Sequence, residues 1–161
     1  MTIGILPRNQ FAVSSFMARS SLVLIEALRT TALRLAAGSA YQWGHHGQCN
    51  CGHLAQTVCK LPPARIHQFA LERDGDWEAL CNAYCPTSGY PIDDVITELC
   101  AIGLTPDDLA HLEKLDDPAV LAALPGGHRW LRRNSREDLV SYMTAWAGML
   151  EHALPAIRRA A

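Results

Sequence analysis

Nine consecutive residues, His45-His46-Gly47-Gln48-Cys49-Asn50-Cys51-Gly52-His53, carry five side chains able to ligate a transition metal. The chain has seven histidines and six cysteines among 161 residues, so an average stretch of this length holds about 0.7 of them. Thiolate and imidazole donors suit zinc, and also iron or copper. Three or four intervening loop residues let His45 or His46 chelate together with Cys49. Cys49 and Cys51 are separated by one residue and point to opposite sides of an extended chain. A turn at Asn50, or entry into a helix, is needed to bring both sulfurs to one ion. In the first helical turn the macrodipole is expected to stabilise the Cys51 thiolate and lower its pKa.

The cluster lacks the paired C-x2-C spacing of zinc fingers and ribbons, so a closed site must recruit a residue from elsewhere. Cys85, where a helix gives way to a loop, is the expected recruit. The expected zinc ligands are therefore His45, Cys49, Cys51 and Cys85, with His46, His53 and Cys81 in reserve. Four protein ligands would tie the 41–53 loop to the 85–91 loop as a structural site; three would leave a position open for Lewis-acid chemistry. Two other functions compete with metal binding. One is thiol redox chemistry through Cys49, Cys51 and Cys85, although no C-x-x-C or strand–helix alternation accompanies them. The other is an interaction module without metal or catalysis, docking a protein partner or a second copy through its N-terminal helix or the arginine patch. No motif names a reaction.

Further constellations read as structural. Asp93-Asp94, Asp107-Asp108 and Asp116-Asp117 sit at helix starts, where carboxylates serve as caps and complement the dipole. Glu113 and Glu151-His152 lack the Glu-x-x-His spacing of a di-iron bundle. Cys59 and Cys100 fall on or beside apolar stripes and read as small core residues. His128-Arg129-Trp130-Leu131-Arg132-Arg133-Asn134-Ser135-Arg136 is a second distinctive stretch, but Glu137 and Asp138 follow it and the net charge is −2. A solvated basic loop is the expectation there, and nucleic acid is not an expected partner.

These residues must be positioned by helices, because apolar side chains recur throughout with helical period and no run alternates long enough for a strand. A first helix is expected over about 11–37, a Gly-rich loop over 41–49, and a helix capped by Asn50 after it. Pro62-Pro63 separates that helix from the next. Helices are expected after Asp76, from Pro91 to Gly103, after Thr105-Pro106-Asp107-Asp108, and after Asp117-Pro118. The last begins near Ser135, with Asp138 completing a capping box. The fold class is thus all-α, an irregular bundle of about six to eight helices forming a single domain over 1–161, with 1–10 expected as a disordered lead-in. Hydrophobic residues at 49 % and charged residues at 19 % are ordinary globular values. Arg19, Glu26, Arg29 and Arg34 interrupt the first apolar stretch, so neither a secretory signal nor a membrane span is expected. A cytoplasmic location follows as the expectation, where thiols stay reduced.

Overall fold

The computed structural model describes residues 18–154; the expected lead-in at 1–10 lies outside them. The chain is all-α, with eight helices and no strand among the described residues. In order they are α1 (Leu22–Ala36), α2 (Asn50–Cys59), α3 (Pro63–Ala70), α4 (Trp77–Asn82), α5 (Pro91–Ala101), α6 (Pro106–Lys114), α7 (Pro118–Ala122) and α8 (Arg136–Ala153).

Most starts follow local chemistry. Asp76, Thr105, Asp117 and Ser135 each accept backbone N–H bonds as N-caps, and proline opens α3, α5, α6 and α7. Three expectations need correction, that for Asn50 below among them. Positions 11–17 of the expected first helix lie outside the described residues, and among those described α1 begins at Leu22, because the Ser21 hydroxyl caps it and donates to the Ile102 carbonyl at 2.7 Å, while Arg19 N–H is held by Gly103 O. At α8, Ser135 caps Asp138 N–H, but the Asp138 carboxylate turns to Arg132 N–H at 2.7 Å instead of closing the box.

The longest contact in the bundle is α1 along α8. It buries Leu24, Leu28 and Leu35 against a stripe of Leu139, Tyr142, Met143, Trp146 and Leu150. Each large apolar side chain so buried contributes about 1.5–3 kcal/mol. Four helices, α1, α3, α5 and α6, touch α2. Thr31 of α1 pairs with Thr57 of α2 at 2.7 Å, and Arg34 bonds His53 O and Thr57 Oγ1.

Asn50, the expected N-cap of α2, is instead its first residue, and Cys49 occupies the cap without a side-chain bond. Asn50 is fully buried and its side chain points away from its own helix. The amide nitrogen donates to Leu112 O, Glu113 O and Arg133 O at 3.2, 2.9 and 3.0 Å. Its oxygen accepts from Tyr41 Oη at 2.7 Å. One side chain therefore joins the 41–49 loop, α2, the end of α6 and the loop before α8. Close approach also fixes the start of α2: a Cβ on Gly52 would strike the His46 carbonyl and the Gly47 backbone. This glycine is required for proximity, not for a bend.

Replacing Asn50 by Ala should cost about 3 kcal/mol in urea unfolding, since each buried group left without a partner costs roughly 1–3 kcal/mol. Asn50→Asp should not restore it, because a carboxylate cannot donate to three carbonyls. A loss below about 1 kcal/mol would remove Asn50 from this role.

Candidate functional site

The first turn of α2 is a set of backbone N–H groups that need acceptors. Cys49 supplies none from its side chain. Glu113, in the last turn of α6, does so from across the bundle: its Oε2 accepts Cys51 N–H at 3.0 Å. Glu113 is 7 % exposed. The buried Cys49 and Cys51 thiols lie beside this carboxyl and act on its ionisation. In turn Asn50 satisfies the Leu112 and Glu113 carbonyls at the end of α6.

This joint forms the floor of an open cleft of about 300 Å³. Cys49 and Glu113 line its floor, with Trp43, Trp77, His46, Gly44, Gly75, Asp76 and Arg133 around them. Trp77 is 1 % exposed, and its indole N–H donates to His46 O at 3.0 Å. The Arg133 guanidinium lies over the Trp43 ring, 5.6 Å from its centroid. The two distinctive stretches of sequence, 45–53 and 128–136, thus meet at one opening.

Electrostatics at the floor run against the expected low-pKa cysteine. Burial pushes the Cys51 thiol well up, with the neighbouring Glu113 charge adding to it, and the same two causes act on Cys49. A helix N-terminus supplies about 0.3–1 kcal/mol, rarely 2, toward the thiolate; full desolvation of a charged group outweighs that by several-fold. Both residues are therefore thiols. Cys51 donates to Leu109 O at 3.1 Å, and Cys49 Sγ lies 3.7 Å from His46 O. Burial also raises the Glu113 pKa, partly opposed by the Cys51 amide and the two thiols.

The structure brings Cys49 and Cys51 together with Glu113, and places the other expected ligands as follows. Cys81 is buried near Cys51, its thiol pushed up to about 12 by burial and by Glu113. His46 walls the cleft, its Nε2 3.0 Å from Gly75 O and its Nδ1 3.3 Å from His67 Nδ1. The His45 ring stacks on His67, 4.0 Å between centroids, and its Nδ1 accepts from Gly47 N–H. His53 is buried and turned to Ala40 O at 2.9 Å. Cys85 stands in separate surroundings, exposed, with its sulfur 3.5 Å from the Thr87 hydroxyl and its amide facing Asp93. Among the described residues no group of three His, Cys, Asp or Glu side chains is arranged to hold a metal ion.

Glu113 is the cleft residue that the sequence reading did not place at this site. One signal pointed to it: an acid in the last turn of a helix opposes the macrodipole. No protein-family model, no curated protein and no solved structure matches the chain. Among the described residues no helix is long and apolar enough to cross a membrane.

Thiol reactivity separates these environments. Thr87 and Arg73 lower the pKa of the exposed Cys85 thiol, so Cys85 should react first with a disulfide reagent at neutral pH. At a pKa of about 12, Cys81 holds about a thousandfold less thiolate than an ordinary thiol near 9. Cys49, Cys51 and Cys81 should therefore react only on unfolding, and Cys85→Ser should abolish the fast phase. Fast labelling of Cys49 or Cys51 in the folded protein would contradict the buried thiol pair.

Proposed function

We propose that this protein binds a small polar organic molecule in the cleft between Trp43 and Trp77, with the Glu113 carboxyl as its anchor. One observation carries the reading: of the three carboxylates buried among the described residues, Glu113 alone lines an open cleft. Asp93 is ion-paired with Arg73 through Oδ2 at 2.7 Å, its buried Oδ1 having no hydrogen-bond partner, and Asp108 closes a capping box with Thr105. Glu113 accepts from one backbone amide, that of Cys51, makes no ion pair, and lines an open cleft. A desolvated, perturbed carboxyl at the base of a concave, aromatic-walled opening is the usual physical profile of a ligand site. Binding fits better than turnover, because neither adjacent thiol is activated as a nucleophile.

Glu113 carries a stability penalty that its neutral isostere lacks. The folded-state pKa is raised above the unfolded value, so the contribution of this group is fully present below about pH 4.5 and is lost as pH rises through the folded pKa. Glu113→Gln should therefore gain stability over the native protein progressively from pH 4 to pH 8, measured by thermal unfolding. In the same pair of proteins, small polar fragments should shift the indole N–H resonances of Trp43 and Trp77 in the native chain and not in the variant. Fragments that never move these signals, or that bind Glu113→Gln unchanged, would overturn the reading.

A second reading keeps the zinc of the sequence expectation and moves its donors to Cys49, Cys51 and Glu113. It is favoured by the gathering of two thiols and a carboxyl in one desolvated spot, where a soft cation would displace the thiol protons. The side chains would have to rotate, since the sulfurs now face Leu109 O and His46 O. Zinc titrated into untagged protein should release protons, bind at least about tenfold more weakly to Cys51→Ser, and bind Cys85→Ser as tightly as the native chain. Equal affinity for native protein and Cys51→Ser would eliminate it.

A further inference from the structure

We infer that the ligand of this cleft is a small zwitterion, bound with its ammonium group on Glu113, an anionic group on Arg133, and its carbon body between the Trp43 and Trp77 rings. The inference rests on the cleft reading and adds the class of molecule.

It follows from which polar groups around the opening are already committed. Asp76 caps α4, accepting Ala79 N–H at 3.0 Å. His46 uses its two ring nitrogens on Gly75 O and His67, and its backbone carbonyl on the Trp77 indole and the Cys49 thiol. His46 thus shapes the wall, and Asp76 is an exposed carboxylate at the rim. Glu113 and Arg133 are the buried carboxyl and the guanidinium of the same lining. No ion pair among the described residues involves either one. Six other arginines or lysines do pair with carboxylates, including Arg129 and Arg132, the neighbours of Arg133 in the same loop, which both face Asp138.

Arg133 instead spreads its guanidinium over Trp43, at the edge of the same opening. That planar fork is suited to a carboxylate or phosphate and is less strongly hydrated than an ammonium, so it releases water readily to an anionic guest. Glu113 has the opposite need. A desolvated carboxyl gains most from a cationic nitrogen, and among the described residues none is ion-paired with it, His46 acting on it only from a distance. An anion and a cation that line one cleft without meeting each other are bridged by a molecule carrying both charges. The flanking indoles favour an apolar or aromatic body between them. A volume of about 300 Å³ sits at the small end of ligand pockets, the scale of an amino acid and not of a nucleotide.

The experiment uses two matched sets of probes on the full chain, read by calorimetry and by the two indole resonances. The first set is L-phenylalanine with phenethylamine and 3-phenylpropanoate; the second, with a wider charge separation, is 6-aminohexanoate with hexylamine and hexanoate. In at least one set the zwitterion should bind about tenfold more tightly than both single-charge analogues. Arg133→Gln leaves the backbone carbonyl that holds Tyr41 and Asn50 in place; it should reduce zwitterion affinity to that of the amine and leave amine affinity unchanged. Glu113→Gln should reduce it to that of the acid. Dispersed amide spectra of both variants establish that they remain folded. Amine or acid binding as tightly as the zwitterion, zwitterion affinity unaffected by Arg133→Gln, or no binding of any probe would each overturn the inference. If fragments of other chemistry still move the Trp43 and Trp77 signals, the cleft reading stands without it. If no fragment does, both fall together.

Discussion

Two helix ends complete each other's hydrogen bonds, and the site depends on that joint. The start of α2 lacks acceptors and the end of α6 lacks donors, as every helix terminus does. Here they are matched across 62 or 63 positions of sequence: Cys51 N–H to the Glu113 carboxyl, and the Asn50 amide to the Leu112 and Glu113 carbonyls. The consecutive residues 50 and 51 both engage Glu113, so the two helices are fixed in translation and in rotation. Tyr41 and Arg133 O meet the same Asn50 side chain, which brings two otherwise independent loops to the rim of one opening. These five neutral or charge-assisted bonds at about 0.5–3 kcal/mol net each are modest beside the apolar core. They decide where the cleft lies, and the core decides that the bundle holds.

The joint also sets the chemistry of its members. A side chain that caps a helix on the surface remains hydrated and ionises readily. Glu113 caps from within, where desolvation raises its pKa against the favourable pull of the α2 amide. Cys49 and Cys51 share that environment, and their thiols rise with it. Position at a helix N-terminus is therefore a poor guide to cysteine activation when the same residue is fully buried. Cys85 illustrates the converse, since an exposed loop thiol beside Thr87 and Arg73 has its pKa lowered without any helix at all.

The helices were legible because their signals are local. Prolines open α3, α5, α6 and α7, and Asp76, Thr105, Asp117 and Ser135 cap the helices they precede. The site was legible only in part. Density of His and Cys pointed to 45–53, and Cys49 and His46 do line the cleft. Side-chain direction was not readable at Asn50, where an N-cap is the strong local expectation and a buried contact to another helix prevails. Cys85 was chosen from its place in a loop, whereas the group that reaches Cys49 and Cys51 is a carboxyl on α6. Pairings between helix ends far apart in sequence leave no periodicity or spacing to read.

What the sequence does hold at this point is a conflict with local rules. A helix start with Cys at the cap position forgoes the 0.5–2 kcal/mol that Ser, Thr, Asp or Asn would contribute there, and an acid near the end of α6 opposes that helix's dipole. Each choice alone is unfavourable, and together they are complementary. The uncapped start of α2 admits the misplaced acid of α6, and the Cys51 amide holds its carboxyl while Asn50 holds the backbone that carries it. A carboxyl immobilised in this way has its geometry fixed before any guest arrives, so a bound molecule need not supply the cost of ordering it. Local disagreement resolved by a long-range contact, at a position that faces open space, distinguishes Glu113 from Asp93, ion-paired with Arg73, and from Asp108, which closes a capping box.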